Sequence, residues 1–238
     1  MMSGIAFMGK HSFKDFGYTI SPDKEIGIAE KQKNLITVPF SNSSYDFSEL
    51  YGSQTYSPRS LTYPINIVNE GNPSRNALIS ARTRLLNWLA NSPGKQPLLD
   101  DDYPGYYFLA ELDQGASFHD DWRTGILTAN FTAYPFMIGT RPEGNDIWDE
   151  FNFELDVAQQ VRFDVNSSLS VNLLNVGTPD VIPEIVTSSG MFLRKGNTTL
   201  EVPTGRNKSD DFTLESGDNM ITITGTGTIE FVYYKEML

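Results

Sequence analysis

The sequence predicts a mainly β protein with one long helix, an α+β fold in two domains. Apolar residues recur every three or four positions in one segment, residues 72–94, which is the period of an amphipathic helix. In most other apolar segments they alternate with polar residues, as in half-buried strands. After residue 145, short alternating runs are separated only by turns. We therefore predict a β-sheet domain with one helix at residues 1–139 and an antiparallel β-sandwich domain at residues 145–238.

Charge and composition exclude several classes of partner. The 238 residues include 30 acidic and 18 basic side chains, a net charge of −12. Such a charge repels phosphate backbones and anionic lipids, so we expect neither bound nucleic acid nor a membrane. There is no cysteine, hence no disulfide framework and no thiolate metal site. The first residues do not have the pattern of a signal peptide and no apolar run is long enough for a bilayer, so we expect synthesis in the cytoplasm.

The N-terminal domain opens with a turn-rich, aromatic stretch at residues 7–18. Residues 34–40 are predicted as a short strand, in which Pro39 indicates an edge position or the end of the strand, because proline has no N–H to donate. An edge strand is available for pairing with a neighbouring molecule. Residues 41–52 are predicted as a polar, aromatic loop. Residues 61–67 alternate apolar and polar side chains, which predicts a half-buried strand just before the helix.

The helix is predicted near residues 73–91, as a lid on the N-terminal sheet. Its apolar side chains form one stripe: Leu78, Ala81, Leu85, Trp88 and Leu89. Asn72 is a suitable N-cap and Pro73 suits the first helical position, where its missing N–H would have no partner. The Asn-Ser-Pro-Gly sequence at residues 91–94 ends the helix.

Two further strands are predicted at residues 106–112 and 127–133, as neighbours in the sheet. Residues 137–145 are rich in glycine and proline and have no periodicity, which indicates a boundary between domains. The sandwich strands are predicted at seven short alternating runs: residues 161–165, 169–173, 185–186, 191–193, 200–202, 220–224 and 228–234.

Two clusters of acidic and histidine residues are candidates for a metal-binding or catalytic site. The run Asp100-Asp101-Asp102 is a candidate cation site, but adjacent side chains diverge, so a solvated loop is favoured. His119-Asp120-Asp121 is a candidate for a base with its orienting carboxylate, but no nucleophile accompanies it, so a surface loop is favoured. With only two histidines in the chain, a multi-histidine zinc site is excluded.

Two other kinds of site were weighed. The Gly225-Thr226-Gly227 sequence is not followed by a helix, as a phosphate loop would be, and is predicted to be a bulge or hairpin corner. A pair of carboxylates for glycoside hydrolysis stays open, because sequence does not reveal distances across a cleft. The sequence therefore predicts no catalytic, cofactor-binding or metal-binding residues, no cofactor, and no enzyme activity.

Several segments, taken in their order along the chain, match those of a known family: residues 7–17, 38–40 with 45–47, the helix ending in Trp88-Leu89, residues 125–131, 175–179 and 215–223. This ordered set resembles the distal tail (Dit) proteins of long-tailed siphophages that infect Gram-positive bacteria. The N-terminal segments resemble the belt domain of these proteins, and the C-terminal segments resemble their galectin-like domain.

The resemblance implies a structural protein of the virion tail tip. It implies a homohexameric ring, possibly stacked as a dodecamer, with a central channel through which DNA only passes. The implied partners are the major tail or tail-terminus protein, the tail-associated lysin (Tal), and receptor-binding or baseplate proteins. The edge strand at residues 35–40 and the aromatic loop at residues 45–56 are the expected ring contacts. The alternative is a carbohydrate-binding β-sandwich module for host-surface recognition, in which Trp148 and several tyrosines stack on sugar rings.

Overall fold

The computed structural model describes residues 3–50, 54–68, 74–113, 115–121, 124–145 and 152–238. They form two compact units, residues 1–137 with Leu238, and residues 138–237. The described residues contain one helix and 18 strands. The predicted fold class, mainly β with one long helix, is confirmed.

The N-terminal unit is built on one large antiparallel sheet with strand order β2-β1-β8-β9-β11-β7-β3. Strand β10 pairs with β11 and β4 with β7, while β5 and β6 form a separate two-stranded sheet. The bounds are β1 (Ile5–Phe7), β2 (Lys10–His11), β3 (Thr19–Ile20), β4 (Glu25–Ile26), β5 (Leu35–Thr37), β6 (Ser44–Asp46), β7 (Arg59–Val68), α1 (Arg75–Ala90), β8 (Gln96–Asp100), β9 (Tyr106–Leu112), β10 (Ser117–Asp120) and β11 (Thr124–Gly139).

Helix α1 covers the sheet through the predicted apolar stripe, whose five residues are all buried. The Trp88 indole N–H also donates to the Phe7 carbonyl, at 2.8 Å. The predicted start is wrong by two residues: Ser74 is the N-cap, and its Oγ accepts from the Ala77 N–H at 3.2 Å. Asn72 and Pro73 lie outside the described residues.

The sheet core follows the predicted period of two. Strand β7 pairs with β11 from Val68–Thr124 to Arg59–Ala133. Its buried side chains Leu61, Tyr63 and Ile65 lie in the cluster that also contains the buried residues of α1. Strands β9 and β11 are neighbours, as predicted. Strands β6, β8 and β10 occur where loops or no strands were predicted, and β11 continues to Gly139, into the stretch predicted as a boundary.

The C-terminal unit is a curled six-stranded antiparallel sheet with order β15-β14-β17-β13-β16 and β12 on β17. Its buried side chains, including Leu173, Ile223 and Phe231, form one core. The bounds are β12 (Arg162–Asn175), β13 (Glu184–Thr187), β14 (Met191–Lys195), β15 (Thr198–Val202), β16 (Gly205–Asn207), β17 (Gly217–Val232) and β18 (Glu236–Met237).

Strands β12 and β17 each replace two predicted strands. They pair without interruption from Arg162–Glu230 to Asn175–Gly217. On its other edge, β17 pairs with β14 at residues 222–224 and with β13 at residues 229–232. Gly225 and Gly227, with φ of +147° and +137°, lie where the partner changes. The predicted bulge or hairpin corner is therefore wrong, because these glycines lie within a continuous strand.

A projecting hairpin and a sheet face without lysine or arginine

Strands β5 and β6 form a hairpin, residues 34–48, whose strands pair only with each other within the described part of the chain. All six strand residues are exposed. The base is closed by backbone bonds: the Phe47 N–H donates to the Asn34 carbonyl at 2.9 Å and the Asn34 N–H to Ser48 Oγ at 2.8 Å. The strand predicted at residues 34–40 is thus present, and its partner is the stretch predicted as a loop.

The hairpin exposes large apolar side chains on both faces. Leu35 and Ile36 are 55% and 54% exposed, Tyr45 is 64% exposed, and Phe40 is wholly exposed. Because successive strand residues point to opposite sides, Leu35 and Ile36 make both faces apolar. Contiguous exposed apolar surface marks interaction sites, and a lone two-stranded sheet is only marginally stable. The hairpin is therefore suited to burial against another molecule.

Polar contacts fix the base of this hairpin. Lys33 Nζ lies 2.9 Å from Asp46 Oδ2, and both the side chain and the backbone N–H of Ser48 donate to Asp46. Hydrogen bonds from Ser48 and Lys33 lower the pKa of Asp46 to about 2. The carboxylate therefore stays ionised and holds the two strand ends together at neutral pH.

The tip of the hairpin is strained. Phe40 has a φ of +61°, a conformation that bulky side chains rarely adopt. Such strain costs about 1–3 kcal/mol and is characteristic of functional positions. An exposed phenylalanine held in this conformation presents its ring away from the rest of the chain.

The sheet face opposite α1 is the second notable surface. The register places Thr62, Asn130 and Glu25 together on it, and Thr62 Oγ1 lies 3.2 Å from Asn130 Oδ1. Glu111 lies on the same face, two residues from Leu109, which pairs with Pro97. Among the described strand residues of the N-terminal unit, no lysine or arginine lies on this face. The face also carries the half-exposed apolar residues Val68, Leu99 and Ile126. It is therefore a mixed polar and apolar surface whose charged side chains, Glu25 and Glu111, are acidic.

The acidic run is a solvated loop only in part, because Asp101 and Asp102 lie in an exposed turn whereas Asp100 is the last residue of β8. The Asp100 side chain is fully buried, and the Tyr63 hydroxyl donates to it at 3.1 Å. Lys24 Nζ bridges Asp100 and Asp102, and Asp101 accepts from the Gly4 N–H at 3.0 Å. Burial, together with the Asp100 carboxylate, raises the pKa of Tyr63. The run holds the N-terminal segment on the sheet, a role that only the distant partners reveal.

The predicted His119-Asp120 pair does not converge. Both residues lie on β10, not in a loop, and both are exposed. Consecutive strand residues point to opposite faces, so His119 and Asp120 diverge. The described residues hold no group of three or more His, Cys, Asp or Glu side chains that could bind a metal ion.

Comparison with known proteins shows the fold. No protein-family description and no curated protein sequence matches the chain. The crystal structure of the SPP1 Dit (gp 19.1) protein, described as a paradigm of the hub adsorption apparatus in Gram-positive infecting phages, aligns over 100% of both chains with a TM-score of 0.68. The chain has the Dit fold. The two sequences are only 17% identical, so the alignment rests on structure.

A second solved structure extends the comparison to another phage. The phage p2 baseplate in its activated conformation with Sr aligns over 98% of this chain and 95% of that chain, with 9% identity and a TM-score of 0.39. The Dit fold of this chain is shown by the alignment with the SPP1 protein. In the described residues, no helix combines the length and apolar character needed to span a bilayer.

Proposed function

We propose that this protein is a structural hub of a phage tail tip and that six copies close into a ring around a channel for DNA. The Dit fold supports the proposal, but the observation that carries it is the projecting apolar hairpin. An exposed apolar arm that finds no partner within the described residues of its own chain needs a partner in another.

A ring uses such an arm efficiently. In a head-to-tail ring, each subunit places one surface against a different surface of the next, and closure leaves no arm unpaired. Stable assemblies of this kind bury well over 1,000 Å² per interface. Leu35, Ile36, Phe40 and Tyr45 are the residues that the hairpin contributes. The aromatic stretch up to Tyr56 was also expected to take part, although residues 51–53 lie outside the described residues.

The sheet face opposite α1 is the proposed channel lining. DNA that passes through a tail must not bind to its wall, and lysine or arginine side chains would bind phosphates. A wall that has Glu25 and Glu111 but no lysine or arginine in its described strands leaves phosphates unbound. DNA is therefore proposed to pass through without a binding site.

The remaining expectations form part of the same proposal. The N-terminal belt domain, residues 1–139, makes the ring, and the galectin-like domain, residues 145–238, projects as a platform for receptor-binding or baseplate proteins. The tail tube and the tail-associated lysin dock on opposite sides of the ring. In the absence of a tail, two rings stack back to back. In the virion, the protein lies at the tail tip. The role is structural, not enzymatic.

Sedimentation velocity of a hairpin variant tests this proposal. The triple variant Leu35→Ser, Ile36→Ser, Phe40→Ser removes three of the exposed apolar side chains of the hairpin and changes no core residue. We expect the wild type to sediment as a ring and the variant as a monomer with an unchanged circular dichroism spectrum. The matched control, Phe192→Ser with Met220→Ser, removes exposed apolar side chains from the C-terminal unit and should still form the ring. A hairpin variant that assembles normally would overturn the proposal.

A groove in the C-terminal unit supports a second candidate function, saccharide binding. It has a volume of about 310 Å³ and is lined by polar and apolar groups, among them Arg162, Glu230, Thr228 and Val186. Sugars are held by such mixtures of donors, acceptors and apolar surface. Trp148, the predicted stacking residue, lies outside the described residues. A glycan array with the wild type and Arg162→Ala tests this candidate, which requires a signal that the substitution removes.

A further inference from the structure

A buried lysine in the C-terminal unit lies against a carboxylate. Nζ of Lys235 is in direct contact with Oδ1 of Asp156, and the two side chains are only 10% and 15% exposed. The other carboxylate oxygen, Oδ2, accepts from the Asn152 N–H at 2.9 Å. Oδ1 accepts no hydrogen bond of normal geometry from a described residue. Because a buried ion pair needs well-formed hydrogen bonds to offset its loss of solvation, a salt bridge alone does not explain this contact.

The side chain of Glu143 completes a buried site around Lys235. Glu143 is 7% exposed and Lys235 is 8% exposed, and their charges are close enough to interact. The Glu143 N–H donates to the Tyr233 carbonyl at 2.8 Å, which holds Glu143 beside the segment that carries Lys235. Gly139 leaves room for the lysine, since an added Cβ would lie 3.2 Å from Lys235 Cγ. An amine and two carboxyl groups therefore meet in a place that little water reaches.

Burial favours the uncharged forms of Lys235 and Glu143. It lowers the pKa of the Lys235 ammonium, although Glu143 opposes this effect, and it raises the pKa of the Glu143 carboxyl. An uncharged amine is a nucleophile, and a carboxyl group can transfer a proton. The Lys24–Asp100 contact differs, because there burial is outweighed by hydrogen bonds to two carboxylates, which raise the pKa of Lys24. Lys24 therefore keeps its charge and is not a nucleophile.

We propose that Lys235 and Asp156 form an intramolecular isopeptide bond, an amide between Nζ and Cγ, with Glu143 as the proton-transfer group. Because the fold already holds the two groups in contact, their effective concentration is high. The lone pair of Nζ attacks Cγ of the protonated Asp156 carboxyl, and the N–C bond forms. Glu143 takes a proton from Nζ and returns one to the hydroxyl oxygen, which leaves as water when the C–O bond breaks. One amine and one carboxylic acid thus become one amide and one water, without an oxidant or a reductant.

The bond is a covalent clamp on the C-terminal unit. It closes a loop of residues 156–235, which contains strands β12 to β17. A cross-link of this kind stabilises a fold by restricting the unfolded chain. The chain has no cysteine, and an amide, unlike a disulfide, does not depend on an oxidising compartment. This inference is independent of the proposed ring.

Intact mass spectrometry of the denatured protein tests the inference directly. Amide formation releases water, so we expect the wild type to be lighter than its sequence by the mass of one water molecule. Lys235→Arg keeps the charge but cannot form this bond, so its mass should equal that of its sequence. Comparison of the two proteins removes any effect of processing at the N-terminus. A wild type with the full mass of its sequence would overturn the proposal.

Peptide mapping locates the bond. Lys24 and Lys235 are each followed by a glutamate, so the two sites are matched substrates for trypsin. We expect cleavage after Lys24 but not after the acylated Lys235. One branched peptide should contain both Asp156 and Lys235, and no peptide should join Lys24 to Asp100. Loss of water at any other residue would overturn the proposal.

A conservative variant tests the role of Glu143. Glu143→Gln keeps the size of the side chain but cannot transfer the proton. We expect this variant to have the circular dichroism spectrum of the wild type and the full mass of its sequence. A folded Glu143→Gln variant that loses water as readily as the wild type would overturn the role assigned to Glu143.

Discussion

The ammonium group of Lys24 lies 2.7 Å from both carboxylate oxygens of Asp100. It also lies 2.5 Å from Asp102 Oδ2, and the Lys24 side chain is only 14% exposed. A charged pair in this environment is strongly coupled, because little water is available to screen it. The loop between β3 and β4 is thereby tied to the end of β8, more than seventy residues away in sequence.

Removal of the buried carboxylate should destabilise the N-terminal unit. Asp100→Asn keeps the shape of the side chain but leaves Lys24 without its buried counter-charge. We expect the free energy of unfolding to fall by about 3 kcal/mol, measured by calorimetry or denaturant titration. Asp102→Asn is the control, because Asp102 is half exposed and exposed pairs contribute little. Equal losses in the two variants would contradict the role assigned to Asp100.

The same cluster predicts a pH dependence. Hydrogen bonds from Lys24 and Ser3 lower the pKa of Asp102. Burial alone would lower the pKa of Lys24, but hydrogen bonds to Asp100 and Asp102 outweigh it and raise that pKa. A carboxyl group whose pKa is lowered by folding stabilises the folded state at pH values above its ordinary pKa, and this stabilisation is lost as the pH falls through the pKa of the folded state. An ammonium group whose pKa is raised by folding stabilises the folded state at pH values below its ordinary pKa, and this stabilisation is lost as the pH rises through the pKa of the folded state.

The free energy of unfolding of the wild type should therefore be higher than that of Lys24→Gln, and the difference should be largest between about pH 5 and pH 10. Below and above that pH range the difference should become smaller. Denaturant titrations of both proteins at a series of pH values check this. A difference that is as large at pH 2 as at pH 7 would show that the contribution of Lys24 is not electrostatic.

Gly227 should not tolerate a side chain. Its φ is +137°, and an added Cβ would overlap Ser188 Oγ and lie 2.8 Å from Ser189 Oγ. Ser188 cannot move freely, because its Oγ accepts from the Thr228 N–H at 2.8 Å. We expect Gly227→Ala to lower the free energy of unfolding by about 3 kcal/mol, from backbone strain and overpacking together.

Gly196 provides the matched control for this prediction. It also has a positive φ, but an added Cβ would meet nothing within 4 Å. Gly196→Ala should therefore cost only the conformational strain, about 1 kcal/mol. Equal effects of the two substitutions would show that the close approach at Gly227 is unimportant.

Substitutions of Phe40, at the strained tip of the hairpin, distinguish an effect on assembly from an effect on stability. Phe40→Gly removes the exposed ring and also relieves the positive φ, which glycine adopts without cost. We expect the monomer to unfold at no lower denaturant concentration than the wild type, while the assembled fraction in light scattering falls. Phe40→Ala should lose the same assembly but keep the strain. If both variants assemble as the wild type does, Phe40 is not part of the interface.

Local periodicity accounts for what the sequence could predict. The buried stripe of α1 and the strands around Leu61, Phe108 and Leu127 are defined by neighbours along the chain, so their spacing reveals them. Their boundaries were less certain: Ser74, not Asn72, caps the helix, because both are good caps and only the packed helix selects between them. The projecting hairpin was half predicted, since its first strand was expected and its second was not.

Long-range partners account for what the sequence could not predict. The role of Asp100 depends on Lys24 and Tyr63, which are distant in sequence. Gly225 and Gly227 suggested a bulge or a hairpin corner, but glycine equally allows one continuous strand to bend where its partner changes. The sequence also did not predict which apolar side chains are exposed. Leu35 and Phe40 have the apolar character of core residues, and only the fold shows that nothing in the described chain covers them.

The most direct test of the central claim is the absolute mass of the purified protein by light scattering over a range of concentrations. The proposed hub predicts a particle of six or twelve times the chain mass of 26.6 kDa, seen as a ring in negative stain. A protein that remains a monomer at every concentration would contradict the claim that this chain closes a ring by itself.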